Sequence, residues 1–141
     1  MNDSSTNTYS VAVVGASARP GRYSGMAVER YRAAGWETWP VHPSTISVAG
    51  LKTYPNLKAL PGSPTVISMY VNPKAGAQML DDIVAAQPRY LWLNPGADGE
   101  PIASAARARG LTVVETCNLV ALSIGDPLEV AERWLADNPQ F

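Results

Sequence analysis

The sequence predicts an α/β fold, a mostly parallel sheet with helices on both faces, and three observations predict it. Short continuous apolar runs, suited to strands covered on both sides, alternate with helical patterns of apolar residues. Glycine, proline and capping residues stand where one pattern gives way to the next. Strands joined through helices of this length need right-handed crossovers, and those make the sheet parallel.

The first strand is Val11-Ala12-Val13-Val14, closed by Gly15. After the turn from Gly15 to Tyr23 a helix is expected through Ala34, with Ala27, Tyr31 and Ala34 on one stripe and Gly35 as its stop. Trp36 to Val41 is the second strand. Between His42 and Gly62 the pattern loosens around Pro43, Gly50, Pro55 and Pro61, leaving an edge strand over 51–54 and one helical turn from Asn56. Thr65 to Val71 reads as a buried strand, followed by Asn72 as N-cap and Pro73 at the first position of a helix running to Ala86. Tyr90 to Leu93 is the next strand, Asn94-Pro95-Gly96 a turn, and Pro101 to Arg109 a helix stopped by Gly110. Leu111 to Glu115 supplies the last strand. Asp126-Pro127-Leu128-Glu129 opens a final helix whose stripe is Leu128, Ala131, Trp134 and Leu135. Together these elements make a Rossmann-like three-layer sandwich with strand order 3-2-1-4-5-6 and an extra C-terminal helix. Residues 1–8 are expected to be a disordered tail and 9–141 a single domain, since 141 residues suit one core.

Composition excludes several classes. With 46% hydrophobic and 16% charged residues and a net charge of -1, the chain has no basic field for nucleic acid. Cys117 is the sole cysteine, which rules out an intrachain disulfide or thiolate cluster and suits a reducing compartment. The first eight residues lack the basic-then-apolar order of a signal peptide, and no run has membrane-spanning length. A soluble cytoplasmic protein is expected.

Such sheets bind ligands beyond the carboxyl ends of their strands, so the loops beginning at Gly15, His42, Asn72 and Asn94 matter most. The first joins a buried strand to a helix N-terminus, where open N–H groups and the helix dipole favour an anion. Gly15 and Ala16 admit close approach, Ser17 offers a hydroxyl, and Arg19 and Arg22 can pair with phosphate oxygens. A GxGxxG fingerprint would need glycine where Ser17 and Pro20 stand, and the second strand ends in Pro40-Val41-His42-Pro43 without a carboxylate for a ribose diol. That absence suits a phosphorylated ribose, as in coenzyme A or NADP, to which His42 could donate.

The ordered set VAVVGASARPGRYS, WPVHP, GLKTYPNLKALP, MYVNP, LWLNPGA and ARARGLTVVETC, from Val11 to Cys117, resembles the small stand-alone coenzyme A-binding protein family. It is also similar to the N-terminal domain of the succinyl-CoA synthetase alpha subunit and, more distantly, to the NADH-sensing domain of bacterial redox repressors. The resemblance implies coenzyme A across the switch point, its phosphates against Ser17, Ala18, Arg19 and Pro20 with help from Arg22 and Ser24. Its adenosine would lie near Val41, His42 and Pro43, with Val71, Asn72, Pro73, Leu93, Asn94 and Pro95 along the adenine and pantetheine path. Two positions depart from the pattern: His42 replaces the family's common asparagine, and Thr45 stands near where synthetase subunits carry a lysine.

Synthetases of that kind pass phosphate through a histidine in a second domain and use a separate subunit for the nucleotide triphosphate. Here the sole histidine is His42, no P-loop occurs, and Cys117 follows Glu115, whose charge opposes thiolate formation. A non-catalytic binding or sensor module is therefore expected, with no metal, because Asp81-Asp82 reads as a solvated face. Trp36, Trp39, Trp92 and Trp134 read as packing. Two alternatives stay open: an NAD(P)-binding regulator or oxidoreductase-like domain, and a protein-interaction domain with a vestigial nucleotide pocket. The amphipathic terminal helix is compatible with a homodimer.

Overall fold

Strands covered on both faces read as near-continuous apolar runs, and such runs mark the centre of this molecule. The computed structural model describes residues 9–140. The expectation for the first eight residues lies outside them. The strands are β1 (Ser10–Val14), β2 (Glu37–Val41), β3 (Ser47–Val48), β4 (Leu51–Lys52), β5 (Val66–Met69), β6 (Tyr90–Leu93) and β7 (Val113–Val114). The helices are α1 (Tyr23–Ala33), α2 (Pro73–Gln78), α3 (Leu80–Ala86), α4 (Ile102–Ala108), α5 (Asn118–Ile124) and α6 (Pro127–Asp137). A five-stranded sheet in the order β2-β1-β5-β6-β7 is parallel throughout.

Period-two alternation along β1 feeds two cores. Val11 and Val13 pack on the α1, α5 and α6 side with Tyr31, Trp36, Trp92, Leu128 and Ala131. Ala12 and Val14 pack on the opposite side with Ile67, Ile83, Leu93 and Ile102. The result is the expected Rossmann-like three-layer class. The α6 stripe is as read, with Trp134 and Leu135 against the first core. In α1 the buried stripe is Ser24, Ala27, Val28 and Tyr31, while Ala34 caps the helix and is exposed.

The expected third strand is not in the main sheet. Leu51–Lys52 instead pairs antiparallel with Ser47–Val48 in a small hairpin whose tip, Ala49 and Gly50, has φ of 50° and 80°. Only Tyr54 reaches β2, through Tyr54 N–H to the Pro40 carbonyl (2.8 Å) and His42 N–H to the Tyr54 carbonyl (2.9 Å). The next ladder bond would need an N–H on Pro40, which has none, so the order 3-2-1-4-5-6 shortens at its first member.

Two further differences concern helices. The helix expected over 73–86 breaks at Met79, whose N–H tightens onto the Gly76 carbonyl (3.0 Å), giving α2 and α3. The segment after Cys117 forms α5, for which no expectation was drawn. At the far edge of the sheet, the Gln140 Oε1 accepts from the Val113 N–H (2.7 Å) and from Arg107 Nε (3.3 Å).

Candidate functional site

The chain turns off β1 at Gly15, where φ is 86° and a Cβ would lie 3.0 Å from Val71 Cγ1 and 3.3 Å from the Tyr70 carbonyl carbon. Glycine is required there for both reasons. The Gly15 and Ala16 amides donate to the Val41 carbonyl at 2.9 and 3.2 Å, which ties the loop to the end of β2. Beyond them the loop folds on its own hydroxyls: Ser17 N–H donates to Ser24 Oγ (3.0 Å), and Arg19 N–H to Ser17 Oγ (3.2 Å). Gly25 makes this possible, since a Cβ there would sit 2.7 Å from the Ser17 carbonyl oxygen.

Four of the amides assigned to a ligand cradle are thus satisfied internally, and the open donors lie one step further on. Helix α1 starts without a side-chain cap and with no acid in its first turn. Among the described residues, nothing accepts from the amides of Tyr23, Ser24 or Gly25. Orphan N–H groups at a helix start attract anions.

Tyr23 and Ser24 line a cleft of about 790 Å³, whereas Gly25 lies in the hollow behind the loop. Of the expected residues, Gly15, Ser17, Ala18, Arg19, Arg22, Ser24, His42 and Pro95 line it. Gly21, Tyr23, Ser44, Thr45 and Tyr70 join them, and the lining holds two arginines and no carboxylate. A second cavity of about 570 Å³ shares the wall made by Gly15, His42 and Tyr70. Its sides are mainly apolar, with Val14, Val41, Pro43, Leu57, Val71 and Met79, while Asn56, Gln78 and Asp82 supply polar groups. Burial pushes the Tyr70 hydroxyl pKa up, and the neighbouring Cys117 adds to that.

The remaining expected residues lie outside the linings of these two cavities. Ala16 is fully buried, and Pro20 lies on the other side of the loop, in a hollow shared with Val48 and Ala49. Asn72 caps α2 by accepting from the Ala75 N–H (2.8 Å), with Pro73 at the first helical position. Leu93 is in the core. The Asn94 side chain turns inward: Nδ2 donates to Ser68 Oγ (2.9 Å) and the Met69 carbonyl (3.0 Å), and Oδ1 accepts from Asn118 N–H (2.8 Å). Ser68 Oγ closes the ring on Asn118 Oδ1 at 2.6 Å. Glu115 is held by Arg107 (2.8 Å) and by the Gly99 N–H (2.9 Å).

Residues 9–123 match the family described as CoA binding domain. The chain belongs to that family. The uncharacterized protein YneT of Bacillus subtilis is 26% identical over 115 residues, 81% of this chain and 85% of its own length. A conserved hypothetical protein of Pyrococcus furiosus has 31% identity and a TM-score of 0.69, covering 76% of this chain and 92% of that one. The dinucleotide-forming acetyl-coenzyme A synthetase 1 of Ca. Korarchaeum cryptofilum shares the fold, at 22% identity and a TM-score of 0.64, over 77% of this chain and 26% of the synthetase. In this CoA binding domain the cleft and its apolar neighbour meet at the carboxyl ends of β1 and β5, on either side of which the chain leaves for β2 and β6. Gly25, Tyr23 and Tyr70 escaped the sequence reading. Gly25 had one local sign, a poor helix former placed in the first turn of a helix.

Proposed function

We propose that this domain binds coenzyme A or an acyl-CoA as a non-catalytic binding or sensing module. The observation that carries the reading is a carboxylate-free cleft, floored by open helix amides and flanked by Arg19 and Arg22, adjoining an apolar cavity. Phosphates belong at the amides and arginines, where dipole and guanidinium charge act together. The nucleoside passes His42 into the apolar cavity, and the remaining arm leaves past Tyr70 and Pro95. Membership of the CoA binding domain family supports the same ligand. A binder fits better than an enzyme because His42 is engaged in its own turn through Nδ1 and the Glu115 carboxylate is held by Arg107 and the Gly99 N–H. The single thiol fits a cytoplasmic setting.

Thermal unfolding with coenzyme A, acetyl-CoA, NADP and NADH tests this. Coenzyme A at 100 times its dissociation constant should stabilise the protein by about 2.7 kcal/mol. A shift with NADH or NADP alone would transfer the assignment to a nicotinamide ligand, and no shift with millimolar coenzyme A would remove it.

A further inference from the structure

The ring of Ser68, Asn94 and Asn118 fixes which way the Asn118 amide faces. Ser68 Oγ accepts from Asn94 Nδ2 and gives its own hydrogen to Asn118 Oδ1. Turning that amide over would put a donor against the Ser68 hydrogen, so the oxygen must stay where it is. The Asn118 Nδ2 is thereby left with two hydrogens and no partner. Among the described residues four buried side-chain atoms lack a hydrogen-bond partner, and three of them are Asn118 Nδ2, the Tyr31 hydroxyl and the Tyr70 hydroxyl. These three belong together. Tyr31 and Tyr70 pack on the same core, which α1 and α5 cover. Burial raises the Tyr31 hydroxyl pKa most, and the groups that also act on it are Asn118, Tyr70 and Asp126. Tyr31 and Asn118 are both 0% exposed.

A buried donor left unpaired costs its full desolvation penalty, so one occupant shared by three such groups is favoured. The chemistry of the three atoms narrows that occupant. It must accept from the Asn118 N–H, which a cation cannot do. An anion would be desolvated and would face Asp126, one of the charges that reach Tyr31. A small neutral molecule that both donates and accepts remains, and about three hydrogen bonds is the usual complement of a buried water.

We infer that the Tyr31 hydroxyl, the Tyr70 hydroxyl and Asn118 Nδ2 together bind one internal water molecule. Tyr70 lines both the cleft and the apolar cavity, so this water braces from behind a ring that faces both. The inference is independent of which nucleotide the cleft takes.

Thermal unfolding of Tyr31→Phe, Tyr70→Phe and the double variant tests it, because the sign of the effect depends on the water. With the water bound, each single variant should melt about 3 °C lower, the scale of one hydrogen bond in a domain of this size. The double variant should fall by less than the sum, since the two hydroxyls share one partner. If the hydroxyls are instead unpaired, each substitution removes a stranded atom and raises the melting temperature, which overturns the site. Strict additivity overturns it as well, because two unrelated bonds have nothing in common to lose. A high-resolution crystal structure of the wild type should show one compact density peak within about 3.2 Å of all three atoms. No peak, a direct bond from Tyr31 to Asn118 in its place, or density for a larger molecule would each rule the water out.

Discussion

Two polar corners sit at the carboxyl end of the sheet, and they have opposite fates. At the ends of β5 and β6, Ser68, Asn94 and Asn118 close a ring of hydrogen bonds, all three residues being at most 1% exposed. At the end of β1 the loop uses some of its amides on its own oxygens and leaves the first turn of α1 with donors to spare. Both corners are written in small polar residues. The difference is how far the chain supplies the partners: the buried corner leaves the Asn118 side-chain nitrogen without one, while the loop leaves the whole first turn of α1 open, the kind of place that suits an anion.

The strongest way to sharpen this contrast is Asn94→Ala. It strands the buried Asn118 N–H and removes both donors to Ser68 and Met69, so the domain should lose about 3 kcal/mol in urea unfolding. A loss below about 1 kcal/mol would mean that the corner is not the closed structural unit described. Next is Gly25→Ala, whose Cβ would press on the Ser17 carbonyl. Moving that loop should cost about 1–3 kcal/mol and abolish coenzyme A binding, whereas retained affinity would show that the loop's shape is dispensable. Arg22→Ala on the open side should leave stability within about 0.5 kcal/mol and weaken coenzyme A about tenfold by calorimetry. Equal affinity would detach the arginine from the site. The smallest effect appears only in alkali. Burial raises the Tyr31 and Tyr70 hydroxyls above the 10.0 expected in the unfolded chain. Their contribution is complete below pH 10 and falls as pH climbs past it, because the unfolded chain ionises first. Tyr70→Phe should flatten that fall, and ultraviolet titration should show Tyr31 and Tyr70 ionising only above the range of a free tyrosine.

Much of the fold was legible because buried parallel strands leave a local signature: Tyr90–Leu93 was read with its observed bounds, and the capping roles of Asn72 and Asp126 held. Arg19, Arg22 and Ser17 were legible as cleft residues because a strand, a small-residue turn and a helix start are adjacent in sequence. Asn94 was not, since its partners Ser68 and Asn118 lie 26 and 24 residues away and nothing local tells an inward side chain from an outward one. The missing third strand follows from the edge on which the Pro40 ring falls, a matter of register rather than composition. Helix α5 hid in a run of apolar residues, Leu119 to Leu122, that carries no polar face to betray its period.

Both margins of the sheet are blunted by the chain itself. Pro40 and the single Tyr54 bridge stop growth beyond β2, and Gln140 occupies the outward amide of β7. Among the described residues, these two margins of the main sheet therefore leave little open ladder for the strand of a second copy to extend.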